Sequence, residues 1–138
     1  MSAVCDYKIL PEMMLVIGKY MGRISENDII SLKAKILHDK DFSWDYDVLD
    51  DFTGADFNLS EGGIEFILHW LKDNFSSPRR SALLTRTPNQ VVMITLFKNL
   101  EKNMLPMNIK IFSTMPYALE WIGISEENKQ VVAAYINE

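Results

Sequence analysis

The chain is poor in cysteine, in histidine and in positive charge, and each shortage narrows what it can be. Cys5 is the only cysteine among 138 residues. No disulfide can therefore form within the chain, which fits a reducing compartment. The formal net charge is -5, which argues against nucleic acid as a partner, because phosphate binding needs a basic face. No apolar run approaches the ~20 residues that a membrane span needs. The opening Met-Ser-Ala-Val-Cys-Asp has neither a basic nor an apolar signal region, so a cytoplasmic location is expected. The two histidines, His38 and His69, have no second ligand at helical spacing, and no dyad with Cys5 can be argued from sequence. Asp39 to Asp50 superficially has the spacing of a calcium loop. Such loops need Gly at the sixth position and Glu at the twelfth, and Trp44 and Asp50 stand there instead. A solvated acidic loop is the better reading. Without a nucleophile–base pair or a ligand cluster, no enzymatic activity, cofactor or metal is expected. Three titratable side chains converging within hydrogen-bond reach in one cleft would count against that expectation.

The remaining composition is that of one globular domain, with 48% hydrophobic and 24% charged residues. The most informative stretch runs from Tyr46 to Phe75. It reads as a central strand over 45–51, a polar loop over 51–59, and a helix that begins at Ser60. Ile64, Ile67, Leu68, Leu71 and Phe75 recur at helical spacing. Burying each contributes about 1.5–3 kcal/mol, whereas the Ser60 cap contributes about 1 kcal/mol. Packing therefore holds this helix, and the cap sets where it begins.

Before this stretch, residues 7–10 and 14–21 read as a hairpin around Pro11-Glu12, with Gly18 and Gly22 weakening the second strand or marking a bulge. A helix over 26–39 follows, capped by Ser25 with Asp28 in the capping-box position and with Ile24 and Ile29 as a staple. Its stripe is Ile29, Leu32 and Ile36, and Lys33, Lys35 and Lys40 should face water. After the central helix, 81–85 is a short buried strand. Thr87-Pro88 with Gln90 opens a helix over 88–101. The β-branched run 91–97 pulls toward strand, but the strand–helix alternation requires helix there. A strand over 108–112, a short helix closed by Gly123, and a tail helix from Ser125 complete the chain. Together these predict an α/β fold: an N-terminal hairpin, then βα units forming a mostly parallel sheet of four or five strands covered by helices. Ligands in such sheets usually sit beyond the carboxyl ends of the strands, here at Asp51 to Thr53, Thr85-Arg86 and Ser113-Thr114.

Several segments carry a family likeness: Tyr7-Lys8-Ile9 with Pro11-Glu12, Val48-Leu49-Asp50, Ala82-Leu83-Leu84-Thr85 with Thr87-Pro88, and Phe112-Ser113 leading to Ala118-Leu119-Glu120-Trp121-Ile122. In this order they resemble the STAS family, the anti-sigma-factor antagonist-like domains, and most closely its small single-domain bacterial members. The likeness covers about residues 5–123. It implies one STAS-like domain over 1–138, with 125–138 as a helical extension. Regulatory members of the family carry a phosphorylated hydroxyl before a glycine at the start of the central helix. In this chain Glu61 occupies that position, Leu59 stands where the family has Asp, and Ser60 is the preceding hydroxyl. Ser60 then reads as a plain N-cap and Glu61 as a helix-dipole acid, or as a permanent charge in place of the phosphate.

Two functions follow as expectations. The first is a non-catalytic, regulatory interaction module that binds a protein partner through Asp51, Thr53, Asp56, Asn58, Ser60 and Glu61. The second is a small-molecule or lipid-binding domain with an apolar pocket between helix 88–101 and the sheet, since the same fold also supports lipid-binding domains. Arg86, Thr87, Ser113 and Thr114 are candidates for an anion or ligand pocket, with Arg79 and Arg80 as further cations or as solubilising loop charge. Met13, Met14, Met93, Phe97, Met104 and Met107 are core, or the lining of a plastic apolar groove. The tail stripe of Val131, Val132, Tyr135 and Ile136 must be covered, by the chain's own sheet or by a second copy, and a homodimer is the expectation.

Overall fold

The computed structural model describes residues 2–102 and 104–137; Met1, Asn103 at the end of the polar run after 98, and Glu138 lie outside. Ten regular elements follow one another: β1 (Val4–Leu10), β2 (Leu15–Ile24), α1 (Glu26–Leu37), β3 (Asp47–Phe57), α2 (Glu61–Asn74), β4 (Arg80–Leu84), α3 (Pro88–Glu101), β5 (Asn108–Phe112), α4 (Met115–Ile122) and α5 (Glu126–Ile136). One five-stranded sheet has the spatial order β1-β2-β3-β4-β5. The first pair is antiparallel and the other three pairs are parallel. Because every crossover steps the same way across the sheet, a single handedness puts α1, α2 and α3 on one face. The tail elements α4 and α5 cover the other face.

Local chemistry starts these elements where the residue types predict. A 3-10 turn over Pro11–Met13 joins β1 to β2. Ser25 and Asp28 form a reciprocal capping box, and so do Thr87 and Gln90. Ser60 accepts from the Gly63 amide at 3.0 Å. Gly123 closes α4 at φ 91°, a conformation that costs glycine nothing. The run 91–97 is helical despite its β-branched content. Its cap is reinforced by the buried Gln90 amide, which donates to the carbonyls of Thr53 and Ala55 at the end of β3.

Three expectations are corrected. β3 does not stop at Asp51 but continues to Phe57, because β2 runs on to Ile24 and supplies a partner as far as Ile24 opposite Phe57. Most of the expected polar loop is therefore strand. Lys33 does not face water: it is turned under α1 and ion-pairs with Asp50 at 2.5 Å. Arg79 is not loop charge but reaches into the protein interior, while Arg80 donates to the carbonyls of Trp121 and Ile122 at the end of α4.

Alternation along the strands makes two cores. Val16, Tyr20, Val48, Phe52 and Leu83 pack against α1, α2 and α3. Leu15, Ile17, Leu49, Ala82 and Leu84 pack against α4 and α5. The tail folds back on its own sheet, burying Val132 and Tyr135 and leaving Val131 exposed. Lys19 from β2 donates to the Tyr135 carbonyl at 3.2 Å.

Candidate functional site

The face under α1, α2 and α3 contains a cavity of about 80 Å³. α2 lines it with Ile64 and Ile67, and α3 with Met93, Ile94 and Phe97. Phe52, Leu83 and Ile109 of the sheet form the opposite wall. Within this apolar lining stand three charged side chains, Lys33, Asp50 and Arg79. A central strand, a helix and the residue just before the neighbouring strand thus each deliver one ionisable group to the same space.

Sequence position explains how each arrives. Asp50 is on the same face of β3 as Val48 and Phe52, so the pleat directs it inward. It pairs in register with Gly18 of β2. A Cβ at Gly18 would run into the Asp50 carboxylate and approach the Tyr20 ring at 3.3 Å, so only glycine leaves room for the acid. Lys33 lies one residue beyond Leu32 on α1, and its long stem crosses to Asp50 Oδ2. The Arg79 guanidinium carbon lies 4.5 Å from the centroid of Phe75 and 5.7 Å from that of Phe42. Both rings are within cation–π range of its charge.

Polar satisfaction at the site is incomplete. Arg79 Nε and Nη1, Asp50 Oδ1 and the Tyr20 hydroxyl are buried with no hydrogen-bond partner. Burial holds the Arg79 guanidinium down to about 10, against the opposing pull of Asp50 and Asp47. Burial, and then Asp50, raise the Tyr20 phenol well above its usual value. Buried polar groups are ordinarily bonded, so a cluster of unbonded ones around a cavity is where a ligand or ordered water would be held. Three titratable side chains do converge here, but only Lys33 and Asp50 are within hydrogen-bond reach of each other.

The sequence-predicted residues are distributed differently. Asp51 is 4% exposed and accepts from the Thr53 amide and hydroxyl, so it is not on a partner-facing surface. Thr53 is half-buried, and Asp56, Asn58, Ser60 and Glu61 are exposed around the end of β3 and the start of α2. Arg86, Thr87, Ser113 and Thr114 are exposed at the carboxyl ends of β4 and β5, brought side by side by the pairing of Leu84 with Phe112. Arg79 and Arg80 are at the opposite end of β4 from Arg86, so the three arginines make no common pocket. Among the methionines, Met93 and Met107 line the cavity and Met104 packs beside its core. Met13 and Met14 are at the β1–β2 turn, where Met13 packs on the α4–α5 core and Met14 is exposed.

The acids of the supposed calcium loop go to separate protein partners: Asp39 accepts from the Tyr7 hydroxyl, Asp47 from the Arg80 amide, and Asp50 from Lys33. His38 and His69 are both exposed. Burial, and then Asp28, push the Cys5 thiol up, away from the reactive thiolate. The ionisable lining of the cavity was missed because its members are far apart in sequence. The available signal was Asp50 itself, an acid at an inward-facing strand position between Val48 and Phe52. No protein-family model matches the sequence, and no curated protein matches it.

Proposed function

We propose that this chain is a non-catalytic, STAS-like binding domain that holds a small, largely apolar ligand between the sheet and α1, α2 and α3. The observation that carries this reading is the cavity itself, an apolar space with unbonded buried polar groups on its wall. Such a combination is the usual make-up of a small-molecule site: an apolar lining for affinity and a few polar groups for orientation. The antiparallel hairpin followed by βα units agrees with a STAS-like domain. The cavity's carboxylate is held by Lys33, an arrangement compatible with binding.

The alternative, a protein partner docking over 51–63, retains Asp56, Asn58, Ser60 and Glu61 as exposed residues. It draws less support from the geometry, because Asp51 is buried and the Ser60 hydroxyl is engaged as a cap. Native mass spectrometry of gently purified protein separates the two. A bound small molecule released on denaturation is expected. A ligand-free chain that captures a specific protein, and loses it on Glu61→Lys, would favour the alternative.

A further inference from the structure

We propose that the cavity is a carboxylate site, in which Arg79 anchors the head of a small monocarboxylic acid and the apolar lining takes its body. This rests on the cavity being a ligand site, and it goes further by assigning the ligand's chemistry. The first ground is charge. Two cations and one carboxylate line the space, Lys33 is already committed to Asp50, and Asp47 acts on Arg79 through its charge without bonding to it. One positive charge remains without a bonded partner, on a side chain whose Nε and Nη1 are buried and unbonded. Buried polar groups are ordinarily bonded, and a carboxylate would give these two donors an acceptor. A phosphate group, at nearly two negative charges, would meet stronger repulsion from Asp50 and Asp47 than a carboxylate would.

The second ground is shape. The Arg79 guanidinium carbon lies close to the Phe75 and Phe42 rings, and Nε and Nη1 are its buried donors without a bonded partner. A carboxylate presents two oxygens, each able to accept from a guanidinium N–H, and its charge strengthens those bonds. An alcohol offers one oxygen and no charge, and an amine would be repelled.

The third ground is size. The 80 Å³ holds several water-sized spheres of about 10–15 Å³ each, well below the roughly 300 Å³ or more of a drug-sized site. The body is then a short chain or a single ring. Met93, Phe97 and Met107 stand where such a body would lie, and the flexible methionines can adapt to it.

The test is a calorimetric and NMR titration of the intact protein with hexanoate, 1-hexanol and hexylamine, repeated on Arg79→Met and Arg79→Lys. Hexanoate is expected to bind at least about tenfold more tightly than 1-hexanol, a ratio typical of one hydrogen-bonded charge, and hexylamine is expected not to bind. Arg79→Met should lose that preference while still binding 1-hexanol, which shows that fold and cavity survive. Arg79→Lys, which keeps the charge but not the planar edge, should lose at least part of it. Equal binding of hexanoate and 1-hexanol by the wild-type protein would overturn the carboxylate assignment and leave the cavity reading standing. Binding of neither would overturn both, and so would saturation by hexanoate at residues away from the cavity. An unchanged preference in both variants would remove Arg79 from the site.

Discussion

Lys33 and Asp50 meet in a mostly apolar wall, so removing one partner leaves the other charge buried without its ion pair. Lys33→Met should therefore cost about 3 kcal/mol, the lower end for a broken buried pair, because Arg79 remains near enough to compensate Asp50 in part. Urea denaturation would measure it, and adding Asp50→Asn should restore most of the loss by removing the stranded charge. Arg79 is different. Burial depresses its folded pKa to about 10, below that of the unfolded chain. The cost of the charge is then fully present at neutral pH and is relieved only as pH rises through about 10. Arg79→Met should leave the unfolding free energy at pH 7 unchanged or higher. A loss greater than about 2 kcal/mol would mean that the cation–π contacts with Phe75 and Phe42 outweigh desolvation. At the surface, the Asp41 amide, and then the Tyr7 hydroxyl, hold Asp39 below its ordinary value. That contribution is present above the unfolded carboxylate pKa, about 4, and is lost as pH falls through the folded value. The stability difference between wild type and Asp39→Asn should narrow from pH 6 to pH 3, and a constant difference would rule out this linkage.

Elements begin where local chemistry tells them to and end where distant partners do. Ser25 with Asp28, Thr87 with Gln90, Ser60, and Gly123 each act within one turn of chain, so the starts of α1, α2 and α3 and the end of α4 were legible in the sequence. The α2 stripe was legible for the same reason, since Ile64, Ile67, Leu68 and Leu71 are local neighbours on one helix face. The length of β3 was not, because residues after Asp51 are strand only by virtue of β2 alongside them. The site was legible only in outline. A pocket beside helix 88–101 could be expected from fold alone, but Lys33 and Arg79 were assigned to water and loop because lysine and arginine usually belong there. Their counter-charge, Asp50, is contributed by another element. Gln90 combines both kinds of information: its capping role is local, while its amide ties α3 to the carbonyls of Thr53 and Ala55. Gln90→Leu removes the cap contact and strands two carbonyls. A loss of about 2–3 kcal/mol is expected by thermal or urea unfolding, and a loss below about 0.5 kcal/mol would show that water satisfies those carbonyls instead.

Across the whole molecule, one sheet separates two cores with different roles. The α4–α5 side is closed by the tail, with Val132 and Tyr135 buried on the sheet. Each contributes about 1.5–3 kcal/mol, a large share of the 5–15 kcal/mol typical of a domain. Truncation after Ile124 should therefore sharply lower the unfolding midpoint and promote association, and a truncated chain as stable as the full one would show that the tail does not hold this face. Because the tail already covers its stripe, a second copy is not needed for that purpose. The opposite side, under α1, α2 and α3, is less completely filled and carries the unbonded charge. Methionine methyl groups report on both sides at once. The most direct measurement is a methyl NMR titration of methionine-labelled protein with a small apolar acid such as hexanoate. Saturable shifts at Met93 and Met107, with Met13 and Met14 unmoved, are the predicted result. Shifts at Met13 and Met14 without those at Met93 and Met107, or no saturable shift at any of the four, would contradict a ligand site in this cavity.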